Sequence, residues 1–173
     1  MEENQPKTGK FSLNYGLILG LVSVAFSVML YTQGLHYEMS TPIIIVSILI
    51  SVVVIFLGIN AFKKANGGYL KLGEALKIAV GIAVVSAIIS LLYQYLLINF
   101  IEPDFMDKAM EIAKPQAFEK NPSMTEEQWE QAVEMQKKMG WLRYPIGLII
   151  SCLLGLIIGL ISGLILKKDK AAY

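Results

Sequence analysis

The sequence predicts an all-α fold: an integral membrane four-helix bundle with a mostly helical outer loop between spans 3 and 4. Three observations carry this. Stretches 13–32, 42–61, 78–101 and 145–166 are apolar and free of charge, and each reaches or passes the roughly 20 residues that cross a hydrocarbon core as a helix. All 29 charged residues lie outside them, where they avoid the roughly 2.5–3.5 kcal/mol that a mid-helix Lys, Arg or Asp adds to insertion. Composition agrees, since 55% hydrophobic residues and a mean hydropathy of +0.56 exceed the usual globular share of about 45–50%. At 173 residues the chain reads as one four-span domain.

Span 1 follows Lys7 and Lys10, as a secretory signal would. Its run is too long for a signal core, however, and closes on Met29-Leu30-Tyr31-Thr32-Gln33 with no small-x-small cleavage site. It reads as a retained helix, with Phe11, Tyr15 and Tyr31 as interfacial anchors. A short loop, 33–41, carries His36, Tyr37 and Glu38. A lone loop histidine is more often solvated than a ligand, and no second His or Cys is placed to complete a metal site.

Span 2 ends before Lys63-Lys64, and Gly67-Gly68 supplies the turn into the link 62–77. Glu74 is the acid nearest a membrane core. A cation site is one reading of it. A first-turn carboxylate beside the positive helix end and Lys71 or Lys77 is the commoner one.

Span 3 closes among Tyr93, Tyr95 and Phe100. In the outer loop 102–144, Glu102-Pro103-Asp104 reads as a helix start. Phe105, Ala109 and Ile112 recur at helical spacing until Lys114-Pro115 interrupts. A second helix starts near 121–128, where Thr125 with Gln128 and Ser123 with Glu126 each fit a capping box. Trp129, Ala132, Val133, Gln136 and Met139 form its apolar face, and Gly140 ends it. That face either lies on the chain's own fold or the membrane surface, the commoner use of an amphipathic helix, or docks another protein. In the second reading Phe105, Trp129, Val133 and Met139 are the anchors.

Span 4 opens at Trp141 and Tyr144 and repeats small residues every fourth position: Gly147, Ser151, Gly155, Gly159 and Gly163. Lipid tails give apolar helices no net drive to associate, so small residues that admit close backbone approach provide it. The stripe is read as a helix-packing face. The other spans offer lesser versions, such as Gly16, Gly20, Ser23 and Ser27, or Ala79, Ala83, Ala87 and Ser90. Cys152, the single cysteine, reads as a small hydrophobe mid-span.

Basic residues set the expected orientation. With the N-terminus in the cytoplasm, the inner side holds Lys7, Lys10, Lys63, Lys64, Lys71, Lys77, Lys167, Lys168 and Lys170 against Glu2, Glu3, Glu74 and Asp169, a net +5. The outer side, with Glu38 and the long loop, is −4. Both termini are expected in the cytoplasm.

The chain resembles the bacterial membrane proteins grouped as domain of unknown function 4199. The residues that carry the resemblance are Asn14-Tyr15-Gly16, Gly67-Gly68-Tyr69-Leu70, Gly73-Glu74-Ala75-Leu76-Lys77, Tyr93, Ile101-Glu102-Pro103, Ser123-Met124-Thr125-Glu126-Glu127 and the Gly-rich last span ending in Lys167-Lys168. The resemblance implies four spans in a bacterial cytoplasmic membrane and assigns no site residues. The expected function is that of a non-enzymatic subunit, scaffold or accessory factor working through helix and outer-loop contacts. Its partners would be the lipid bilayer and another copy of the chain or a membrane or periplasmic protein. A small oligomeric transporter or channel is the alternative, although intramembrane sites usually show ionisable residues or broken helices. No catalytic residues, cofactor or metal ligands are expected: Glu102, Asp104 and Asp107 have no His, Cys or Ser partner at a recognisable spacing. No basic patch suggests nucleic acid.

Overall fold

The computed structural model describes residues 6–37 and 40–169. Glu2, Glu3, Glu38 and Lys170, counted in the charge balance above, lie outside the described residues. Six α-helices follow in order: α1 (Thr8–Thr32), α2 (Thr41–Ala65), α3 (Leu72–Leu96), α4 (Phe105–Lys120), α5 (Glu126–Lys138) and α6 (Arg143–Leu166). A π-helical turn, Leu97–Ile101, prolongs α3, and a 3-10 turn, Gly140–Leu142, leads into α6. Helices α1, α2, α3 and α6 are long and apolar enough to cross a membrane. They outrun the charge-free stretches because Lys10 lies in the first turn of α1, Lys63 and Lys64 lie in the last turn of α2, and Glu74 and Lys77 lie near the start of α3, which suits charge at headgroup depth.

Helix α3 is the centre, packed most extensively against α1 and then α6. The α1 contact is parallel. A Cβ added to Gly16 would stand 2.5 Å from Val85 Cβ, one added to Gly20 would stand 2.5 Å from the Ile89 side chain, and a Cβ on Gly81 would collide with Ser12. Each pairing advances four residues on both helices, one turn at a time. The α6 contact is antiparallel. Cβ atoms at Gly155, Gly159 and Gly163 would lie 2.7, 2.5 and 2.9 Å from the Cβ atoms of Ala83, Ala79 and Ala75. Gly147 continues this register more loosely toward Leu91, and Ser151 turns its hydroxyl back to the Gly147 carbonyl at 2.8 Å.

Small residues therefore occupy the seams while large ones face outward. Ile149, Leu153, Ile157 and Ile161 of α6 are all more than half exposed, the inverse of a water-soluble core and the expected distribution where lipid is the solvent. Large buried side chains gather toward the terminal end of the bundle, where α1 begins and α6 ends: Ile55, Ile59, Phe62, Leu70, Ile78 and Ile82. Phe11 packs edge-on to Phe62 at 5.4 Å. Toward the other end α2 stands off from α6 and leaves a groove of about 300 Å³ lined by Ile43, Ser47, Ser51, Leu154 and Ile158 among others. Ser47 and Ser51 bond the carbonyls four residues back, so neither hydroxyl is unpaired at membrane depth.

Candidate functional site

The polar side chains that converge most closely lie at the end of the bundle formed with residues 102–142, the cap, where residues 33–37 meet the segment after α3. Gly34, at φ +70°, reverses the chain behind α1. Its N–H donates to Tyr31 O, and that of Leu35 donates to Leu30 O, a glycine stop that satisfies the last carbonyls of the helix. His36 and Tyr37 are thereby laid over the end of α3. From the other side, the π-helical turn ends with the Glu102 N–H donating to Leu97 O at 2.7 Å. That wide turn delivers Glu102 to the loop.

Glu102 is the hub. Its carboxylate accepts from His36 Nε2 at 2.9 Å, from Lys108 Nζ at 2.7 Å and from the Tyr37 hydroxyl. The side chains of His36 and Glu102 keep 10% and 11% of their exposure. Rings cover the imidazole: Tyr31, Tyr37 and Phe105 lie 4.8, 3.9 and 5.8 Å away between centroids. Hydrogen bonds from Lys108 and then Tyr37 hold the Glu102 carboxyl down to about 2, whereas the same bonds raise the Tyr37 phenol and the Lys108 ammonium. An ionised carboxylate only accepts, so His36 Nε2 is the donor. His36 Nδ1 is buried without a partner among the described residues.

This arrangement corrects one expectation: His36 is not a solvated loop residue. Glu102, which has no His, Cys or Ser at a recognisable spacing, meets its histidine through the fold. The two stand 66 positions apart, so no local spacing reveals them. The available signal is topological: both loops must leave the same face of the bundle. A carboxylate titrating near 2 with three donors in place is a poor base and a tight clasp. Among the described residues no group of three or more His, Cys, Asp or Glu could hold a metal ion.

The cap itself departs from the sequence reading at three points. Helix α4 begins at Phe105, not Pro103, and runs through Pro115 to Lys120. Of the two capping boxes, Thr125 and Gln128 form one, with reciprocal bonds of 3.2 and 3.0 Å. Ser123 turns to Asn121 Oδ1 instead. Lys114–Glu126 and Lys137–Asp107 ion pairs tie α4 to α5, both exposed and each worth little. Arg143 joins the cap to α6, donating through Nε to Gly140 O and through Nη2 to Met106 Sδ.

The chain matches a sequence model described as a protein of unknown function, DUF4199, over residues 14–168. The chain belongs to the DUF4199 family. No curated protein matches it, and no solved structure does. The match takes in His36, Glu102, the cap and all of α6.

The residues singled out in the sequence fall in two places. Gly147, Ser151, Gly155, Gly159 and Gly163 lie along the α3–α6 seam, not at the His36–Glu102 clasp. Phe105 is stacked on Tyr37 at 5.4 Å, and Trp129 stands against Phe118 at 6.3 Å. Both rings, like Val133, are half-buried, whereas Met139 is exposed beside exposed Met135 and Trp141.

Proposed function

We propose that this DUF4199 protein is a non-enzymatic, multi-pass protein of a bacterial cytoplasmic membrane that works by contact, as a subunit, scaffold or accessory factor. The observation that carries the reading is the α3–α6 seam. Its glycines and alanines are so close that added Cβ atoms would collide, which supports a bundle built for close helix packing and not for passage. Replacing an ion's hydration shell requires polar groups along its path, and the polar residues buried in these spans are Ser12, Ser86 and Ser162. The Ser12 and Ser86 hydroxyls are turned to backbone carbonyls.

The cap supplies the contact surface in this reading. Met135, Met139 and Trp141 are its exposed apolar residues near α6, and Met is an adaptable contact residue. The +5/−4 charge division supports both termini in the cytoplasm and the cap outside. Deleting 123–140 and joining the ends through a short Gly/Ser linker should leave the four spans inserted and abolish a co-purifying partner. Saturable, protein-dependent solute flux in proteoliposomes would reject the contact reading in favour of a transporter.

A further inference from the structure

We propose that the terminal end of the bundle is a binding surface for anionic phospholipid headgroups. Ion pairs among the described residues all lie at the cap end: His36–Glu102, Lys108–Glu102, Lys114–Glu126, Lys137–Asp107 and Lys138–Glu134. Among the described residues the terminal end carries Lys7, Lys10, Lys63, Lys64, Lys71, Lys77, Lys167 and Lys168 against Glu74 and Asp169. Lys63 is half-buried and the other seven lysines are exposed. Glu74 is turned to the Lys71 backbone N–H at 2.8 Å, and Lys168 rests over the Tyr69 ring.

The fold brings these cations together. Leu70 is fully buried and exchanges two main-chain bonds with Lys168, of 2.9 and 3.0 Å, in an antiparallel bridge. The Lys71 backbone is extended beside it, and Lys167 leaves α6 at φ −54°, ψ 138°. Antiparallel pairing then sets Lys71 across from Lys167. Like charges placed opposite each other are destabilising, and neither ammonium is ion-paired among the described residues, the Glu74 carboxylate being turned to the Lys71 main-chain N–H. An external counter-charge removes that cost. Lys10, Lys63, Lys64 and Lys77 belong to the end turns of helices long enough to span a membrane, so the lysines ring the bundle at headgroup depth. Lipid phosphate meets them there with no further approach, which favours a leaflet over a nucleic acid or an acidic protein. Flexible lysine stems reach headgroups readily, and each contributes to attraction within a Debye length of the surface.

The test uses the full chain in a neutral detergent, titrated with phosphatidylglycerol or phosphatidylcholine, and reads Tm. Phosphatidylglycerol should raise Tm, less so at high salt, and phosphatidylcholine should not. Lys71→Gln with Lys167→Gln should raise the half-saturating phosphatidylglycerol concentration by roughly fivefold per lysine removed. In lipid-free detergent the same variant should be at least as stable as the parent, because a repulsion has been relieved. Lys63→Gln with Lys64→Gln should weaken the titration similarly, and Lys120→Gln at the cap end should not. Equal protection by phosphatidylcholine, by inorganic phosphate or by a short oligonucleotide would overturn the proposal. So would parent-like titration of both lysine pairs, or loss of Tm in lipid-free detergent by the Lys71/Lys167 variant.

Discussion

Glu102 shows how one side chain can join segments that sequence keeps apart. Its three donors come from loop 33–40 and from α4, so removing its charge loosens two connections at once. The sign of the pH effect follows from its depressed titration. A carboxyl with an ordinary value of 4.5 that titrates at about 2 in the fold stabilises the clasp above pH 4.5, and the contribution is lost as pH falls toward 2. It should be on the order of 1–2 kcal/mol after solvent screening. Protection against hydrogen exchange at residues 33–37 and 102–108, taken relative to the intrinsic rate at each pH, should accordingly fall between pH 5 and 2. Glu102→Gln should show fast exchange already at neutral pH and no such acid transition. Unchanged protection in the variant would mean that the ring stack alone holds the loop.

At the scale of elements, the α3–α6 seam argues for a strict size limit. A Cβ on Gly159 would meet Ala79 Cβ at 2.5 Å, and Gly155 would add a clash with the Ala79 carbonyl at 3.2 Å. Overpacking of this kind costs about 1–3 kcal/mol at each site. Gly155→Leu with Gly159→Leu should therefore lower Tm in detergent sharply or shift the oligomeric state. Leu153→Phe with Ile157→Phe alters residues that are 53% and 55% exposed and should change Tm little. Equal tolerance of both pairs would count against the seam. In the cap, α5 depends on its own N-terminus. Thr125→Ala removes the hydroxyl that receives the Gln128 N–H and should cost about 1 kcal/mol of local stability, measurable as fraying of α5 by hydrogen exchange.

For the whole molecule, the charge division leads to one topological prediction. In a Cys152→Ala background, a cysteine at Ser123 should react with an impermeant maleimide on intact cells, or on spheroplasts where an outer membrane blocks the reagent. A cysteine at Ala171 should react only after permeabilisation. Labelling at Ala171 but not at Ser123 would invert the assignment. The same asymmetry separates a cap end rich in ion pairs from a terminal end where lysines face few acids.

Much of this architecture was legible in the chain because hydrophobic length is a local quantity. Four charge-free runs specify four helices whatever their neighbours, since no unpaired backbone survives in hydrocarbon. The Thr125–Gln128 cap was likewise visible as one of two candidates, and its choice over Ser123–Glu126 was made by where Ser123 found an acceptor. Pro115 misled as a helix end because a single lost N–H and a local kink can be accommodated when flanking turns continue. The bond between His36 and Glu102 was legible nowhere along the chain. It requires α1 and α3 to run parallel so that their following loops meet. The antiparallel bridge from Leu70 to Lys168 likewise depends on α6 returning beside α3. By itself the sequence determined the number of spanning helices and the small-residue composition of their faces, because both are set within a few turns. Only the tertiary structure decided which small face meets which helix and which cap residues converge, because those depend on register between helices separated by dozens of residues.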